Sequence, residues 1–320
     1  MAEKEINRAL RRRFSASGWV LLVYYGILNV MVSTTAFVEI FCKTLRAMQN
    51  GISPDYFWHL VAEAAASGWG YLAAGAVGLV ILMGWKGTGY LKEIWTPRRK
   101  MTAPEFWELL CVFCGTQLVF SLLTALLDWL LTPAGVDITA SVEAATGEQT
   151  GLSMLLYGSL AAPITEEILF RGLVRENFRT YGKRFGIFAS AFLFGAYHGN
   201  LIQSPYAFAA GLVLGYTAEV YGLGWSVLLH VFNNFVLGVV LPGAAGLLPG
   251  DWGDLFQSGV FLLFFLGAAV VLVVRREELR AFFRNDRMDR RCLRCFFTNS
   301  GVICLLLLCL ANMLLMLFAS

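Results

Sequence analysis

Charge is scarce in this chain of 320 residues: 15% of positions are charged, against 58% hydrophobic and 14% aromatic, with mean hydropathy +0.64. So little charge excludes a soluble domain, because ordinary globular chains run near 25% charged. Other absences narrow the reading. There is no internal repeat and no low-complexity tract. The basic N-terminus precedes an apolar run of about 24 residues with no small-residue cleavage site, so an uncleaved signal anchor is expected rather than a secretory leader. Cys292 and Cys295 form a C-x-x-C pair, but no second pair completes a zinc site, and the seven cysteines give no ground for metal or redox use. The net charge of +3 reflects topology, and no nucleic-acid partner is expected.

Apolar runs of membrane-crossing length are what the chain has instead. A hydrocarbon core takes roughly 17 to 25 residues of helix, and nine runs qualify: 18–41, 67–85, 106–131, 151–172, 186–203, 205–221, 225–242, 255–274 and 298–319. The expected fold is therefore all-α, a polytopic helical membrane protein of about nine spans. Lys and Arg collect in 4–13, at Lys43 and Arg46, and in 86–100, 171–184 and 275–294, whereas 132–150 and 242–254 contain Asp and Glu but no basic residue. Cytoplasmic loops are enriched in Lys and Arg, which predicts the N-terminus inside, the C-terminus outside, and the plasma membrane as location. Only the pair at 43 and 46 breaks the pattern. The expected organisation is a basic cytoplasmic N-terminus (1–17), N-terminal spans (18–150), a catalytic core (151–274), a basic amphipathic linker (275–297) lying along anionic lipid, and a C-terminal anchor (298–320).

Within the 151–172 run stands "APITEEILFRGL", with two adjacent carboxylates and an arginine. Ionisable residues inside a membrane are costly and suggest function by default. A salt bridge explains Glu167 and Arg171, spaced i,i+4 with the acid first. It leaves Glu166 unexplained, because Glu166 projects about 100° around the helix from Glu167. Pro163 removes a backbone donor just upstream and crowds the carbonyl of Ser159, so a kink beside protein or a water-filled cavity is expected. Two of the three histidines lie in the spans that follow: Phe194 and His198 share one helical face, and so do His230 and Asn234. A carboxylate, two imidazoles and a carboxamide suffice to activate water, hold a metal or an oxyanion, and protonate a leaving amine. His59 and Glu63 are also i,i+4, but an interfacial helix on the outer side accounts for them.

Glu166-Glu167-xxx-Arg171, Phe194-xxx-His198 and His230-xxx-Asn234 together resemble the three ordered motifs of the CPBP family, the CAAX prenyl protease and bacteriocin-processing (Abi) intramembrane endopeptidases. The motif-bearing part covers about 150–242. The resemblance implies an all-helical membrane protease, a metalloprotease by family usage, with its site open to the cytosol. It implies that Glu166 activates the attacking water, that His198, His230 and Asn234 surround the scissile carbonyl or a metal, and that Glu167 and Arg171 support them. If a divalent metal is bound, His198 and His230 are the expected ligands and Zn²⁺ the expected ion, while a metal-free route stays open. The expected partners are membrane lipid and a peptide or lipidated-protein substrate, of which the sequence discloses neither identity nor prenylation. Two alternatives remain: an idle scaffold or immunity protein of the same fold, and a proton or metal-ion transporter. Against transport stands the absence of paired broken helices in two related halves.

Overall fold

The computed structural model of the chain describes residues 2–47, 54–134, 138, 142, 151–286 and 288–318. It is 88% helical, with no strand among the described residues. Lipid dictates this, since a spanning segment must satisfy its own backbone hydrogen bonds. In chain order the helices are α1 (Ala2–Ala47), α2 (Pro54–Ala65), α3 (Trp69–Lys86), α4 (Thr88–Trp95), α5 (Ala103–Leu131), a composite α6 (152–179), α7 (Lys183–Tyr197), α8 (Gln203–Val220), α9 (Leu223–Ala245), α10 (Trp252–Val274), α11 (Arg276–Asn285), α12 (Arg290–Phe297) and α13 (Ser300–Phe318). Most of the acidic connection over 132–150, and Arg287 of the basic linker, lie outside the described residues.

Among the described residues, five helical stretches are long and apolar enough to cross a membrane: Glu3–Ala47, Tyr56–Lys86, Ala103–Leu131, Leu223–Ala245 and Trp252–Val274. α12 and α13 make a sixth if their 58° bend is counted as one span. The nine apolar runs of the sequence coincide with helix for most of their length, but three of them, on α6, α7 and α8, do not meet that measure. α7 has 15 residues, α6 carries Glu166, Glu167, Arg171 and Arg175, and α8 carries Gln203, Ser204, Thr217 and Glu219. From Pro163 of α6 onward these helices are largely enclosed: Phe170, Phe185, Leu193 and Leu214 are fully buried, while Trp107, Leu122 and Trp129 of α5 and Leu263 and Val270 of α10 are exposed. Helices surrounded by protein can hold polar groups that lipid-facing ones cannot.

α13 packs directly on α1. A Cβ at Gly18 would lie 2.2 Å from the backbone carbon of Gly301, and one at Gly301 would lie 2.1 Å from the Ser15 carbonyl oxygen. Only paired glycines let two backbones approach so closely. The Gly301 N–H donates to Ser15 Oγ at 2.9 Å. Beside it Phe14, Phe178, Phe185 and Phe296 form an aromatic knot with neighbouring centroids 5.0 to 6.1 Å apart. Such ring pairs contribute about 0.5–1.5 kcal/mol each beyond area burial. Gly18→Ala is expected to destabilise the protein by about 1–3 kcal/mol through overpacking. Gly26→Ala on the same helix, with nothing within 4 Å of the new methyl, is its control. Thermal unfolding in detergent checks the contrast, and equal melting temperatures for the two variants would contradict this packing.

Ion pairs join several of the charged segments. Lys43, half of the basic pair that breaks the loop pattern, bonds Glu63 at 2.6 Å. Arg275 at the end of α10 bonds both carboxylate oxygens of Glu108, at 2.9 and 3.0 Å. Buried Glu219 on α8 gathers Arg175, Arg179, Arg98 and Lys183, tying the end of α6 to the connection before α5 and to the start of α7.

Candidate active site

α6 is interrupted twice by π-helical turns. Tyr157–Ala161 and Ile168–Arg175 are π-helical, and between them lies the α-helical turn Ala162–Glu167 that ends in the two carboxylates. In the π register a carbonyl accepts from the N–H five residues on, and the Ala162 N–H donates to the Tyr157 carbonyl accordingly. The next bond would run from residue 163 to Gly158, but Pro163 has no N–H. The carbonyl left free is thus that of Gly158, where an α-helical register would have made it that of Ser159. Asn234 takes it up, its Nδ2 donating to Gly158 O at 3.0 Å. Asn234 stands in the third π-helical stretch, Phe232–Val240 of α9. Single π turns inside helices frequently mark functional sites.

Glu167 is wholly buried and fully engaged. Its Oε1 accepts from Arg171 at 2.8 Å and approaches His230 Nδ1 at 3.0 Å, and its Oε2 accepts from the Ser226 hydroxyl. Arg171, also wholly buried, donates to the Gly211 carbonyl at 3.3 Å and lies over the Phe194 ring, 4.2 Å from its centroid. A Cβ at Gly211 would meet the Ala191 Cα at 3.1 Å and the Arg171 guanidinium at 3.2 Å, so the glycine admits both the neighbouring helix and the bond. Buried charges persist only when paired and hydrogen-bonded, and this pair meets both conditions.

Glu166 differs. Its side chain keeps 23% exposure, and the one basic group at ion-pair distance from it among the described residues is His230, whose Nε2 lies 3.7 Å from Oε2. That separation exceeds a hydrogen bond and suits a bridging water. His198 Nδ1 lies 2.8 Å from the Phe194 carbonyl. A carbonyl only accepts, so Nδ1 carries the proton and Nε2 is left as an acceptor. Both imidazoles stand edge-on to the same Phe194 ring, His198 at 4.8 Å and His230 at 5.8 Å between centroids. The structure therefore sets Arg171, His198 and His230 around Phe194, places both carboxylates against His230, and ties Asn234 to the helix that carries the carboxylates.

Residues 148–236 match a family model described as Type II CAAX prenyl endopeptidase, Rce1-like. The chain carries a Rce1-like domain. No curated protein and no solved structure matches it. The match covers under a third of the chain and contains all seven motif residues. At the level of the family, a Rce1-like domain indicates a CAAX-type intramembrane protease, and with the apolar helices it makes the chain an integral membrane protein.

Three residues of the Rce1-like domain that bear on the site, Ser226, Gly211 and Asn233, do not stand out in the sequence. Ser226 is the one with a local signal, a hydroxyl four residues before His230 on the same helical face. A metal centre finds less support in the side chains present. Among the described residues, no group of three or more His, Cys, Asp or Glu side chains is arranged to hold a metal ion. His230 Nδ1 is committed to Glu167 and His198 Nδ1 to Phe194, so two Nε2 atoms and the Glu166 carboxylate are what remain. These do not form a ligand set as placed.

Proposed function

We propose that this chain is an intramembrane endopeptidase that hydrolyses a peptide bond of a membrane-associated protein or peptide, prenylated tails included, by Glu166-activated water. The observation that carries the reading is the division of labour between adjacent carboxylates. Glu167 is sealed by Arg171, Ser226 and His230, whereas Glu166 is left open beside the Nε2 of the imidazole that Glu167 orients.

A water between Glu166 Oε2 and His230 Nε2 donates a hydrogen to each and presents a lone pair to the scissile carbonyl. As it attacks, Glu166 takes its proton and the carbonyl oxygen becomes an oxyanion. The second Nδ2 hydrogen of Asn234, the one not given to Gly158, is the neutral donor for that oxyanion. Collapse of the tetrahedral species breaks the C–N bond, and the proton on Glu166 passes to the leaving amine. His198 Nε2 accepts from a substrate amide N–H and holds the extended peptide in place. The adjacency of Glu166 to the basic end of α6 favours entry from the cytosolic face of the plasma membrane.

The test works without a known substrate. Cells expressing the wild-type chain or Glu166→Gln at equal level are compared by mass spectrometry of membrane and released peptides. Wild-type cells are expected to accumulate cleaved C-terminal fragments that the variant lacks. Identical peptide profiles would contradict protease activity and leave the idle-scaffold reading.

A further inference from the structure

The side chains that fix Asn234 are themselves fixed by a helix outside the Rce1-like domain. Gln117, midway along α5, donates from Nε2 to Tyr206 Oη at 2.7 Å and to Asn233 Oδ1 at 2.8 Å. Tyr206 on α8 donates its hydroxyl hydrogen to the same Asn233 oxygen at 2.9 Å. Asn233 Nδ2 then donates to Asn234 Oδ1 at 3.0 Å, and Asn234 Nδ2 to Gly158 O at 3.0 Å. Every direction in this chain is determined. Gly158 offers only a carbonyl, so Asn234 must turn its NH₂ there and its oxygen toward Asn233. Asn233 must then present NH₂ to Asn234 and oxygen to the other side, where Gln117 and Tyr206 supply two hydrogens for its two lone pairs.

A carboxamide flips end for end at little steric cost, and the flip exchanges donor for acceptor. In Asn234 it would aim a lone pair, rather than an N–H, at a developing oxyanion. Asn233 prevents this from one end and Gly158 from the other. Without Gln117, Asn233 loses the stronger reason to keep its oxygen turned away from Asn234.

We propose that Gln117, assisted by Tyr206, is a positioning residue that sets the amide orientation of Asn234 through Asn233. The proposal rests on the endopeptidase reading for its catalytic consequence but not for the orientation itself. It also gives α5 a role in the reaction: the helix is tied to the site by a polar relay in addition to its apolar contacts around Leu110 and Phe113.

Two measurements on the full-length protein test this. The first uses an internally quenched peptide ending in a farnesylated cysteine and three further residues. Gln117→Leu, which removes both donors, and Gln117→Glu, which forces Asn233 to present NH₂ to α5, are each expected to lower kcat about tenfold with KM unchanged, a fraction of the loss for a missing oxyanion donor. In an Asn234→Ala background, Gln117→Leu should cost nothing further, since its effect passes through Asn234. The second reads the Asn234 side-chain amide by NMR of the ¹⁵N-asparagine-labelled protein, assigned by its loss in Asn234→Ala. Its resonance should move in both Gln117 variants. Equal losses of activity in the two backgrounds, or an unmoved resonance, would overturn the proposal. Absence of cleavage by the wild-type protein would count against the endopeptidase reading, and the resonance would still decide whether Gln117 orients Asn234.

Discussion

Glu166→Gln lowers peptide cleavage by about 10²–10⁴-fold, the range for a lost general base, while the protein inserts and accumulates as the wild type does. Both halves of this expectation come from the same geometry. Glutamine keeps the size and the position of the side chain but cannot take a proton from water. Stability is spared because no cation is left behind: His230 Nε2 stands 3.7 Å away, and Arg171 is bonded to Glu167. Initial rates on a fluorogenic peptide, with the amount of folded protein measured by size-exclusion chromatography, check it. A variant retaining more than about a tenth of the wild-type rate is incompatible with a base effect of this size.

One residue further on, the same change acts in the opposite way. Arg171→Met leaves the Glu167 carboxylate in a fully buried site with Ser226 and His230 but without its counter-charge. Removing one partner of a buried ion pair typically costs about 3–5 kcal/mol, and Glu167→Gln should approach that figure from the other side by stranding the guanidinium over Phe194. The double variant Glu167→Gln/Arg171→Met strands neither, so it should be milder than the sum of the singles. Thermal unfolding in detergent for all four proteins gives the coupling directly. Strict additivity would mean that the 2.8 Å contact carries no energy of its own.

These contrasts are partly legible in the chain itself. Glu167 and Arg171, Phe194 and His198, and His230 and Asn234 are local pairs on single helices, and periodicity alone puts each pair on one face. That Glu166 differs from Glu167 also follows from helical geometry. What periodicity conceals is register. An extra residue per turn leaves no mark in an apolar run, so the sequence points to the Ser159 carbonyl as the one Pro163 disturbs, whereas the π turn makes Gly158 the orphan and gives Asn234 its anchor. Long-range partners are concealed for a different reason. Gln117, Tyr206 and Gly211 reach the site from α5 and α8 by packing, at separations in sequence that no local pattern encodes. Hydropathy also weighs each apolar run alone: α6, α7 and α8 fall short of the length and composition of the other crossing helices, and their packing against α1, α3, α5, α9 and α13 is what lets them carry polar residues.

The central claim is that water, activated by Glu166, attacks a peptide bond directly. It is tested most directly by single-turnover cleavage of the farnesylated peptide in H₂¹⁸O, followed by mass spectrometry of both the peptide products and the intact protein. The account predicts one ¹⁸O atom in the newly formed carboxylate, no covalent adduct on the protein at any time point, and neither product with Glu166→Gln. A peptide-sized adduct on the wild-type chain, or labelled product formed equally well by Glu166→Gln, would contradict it.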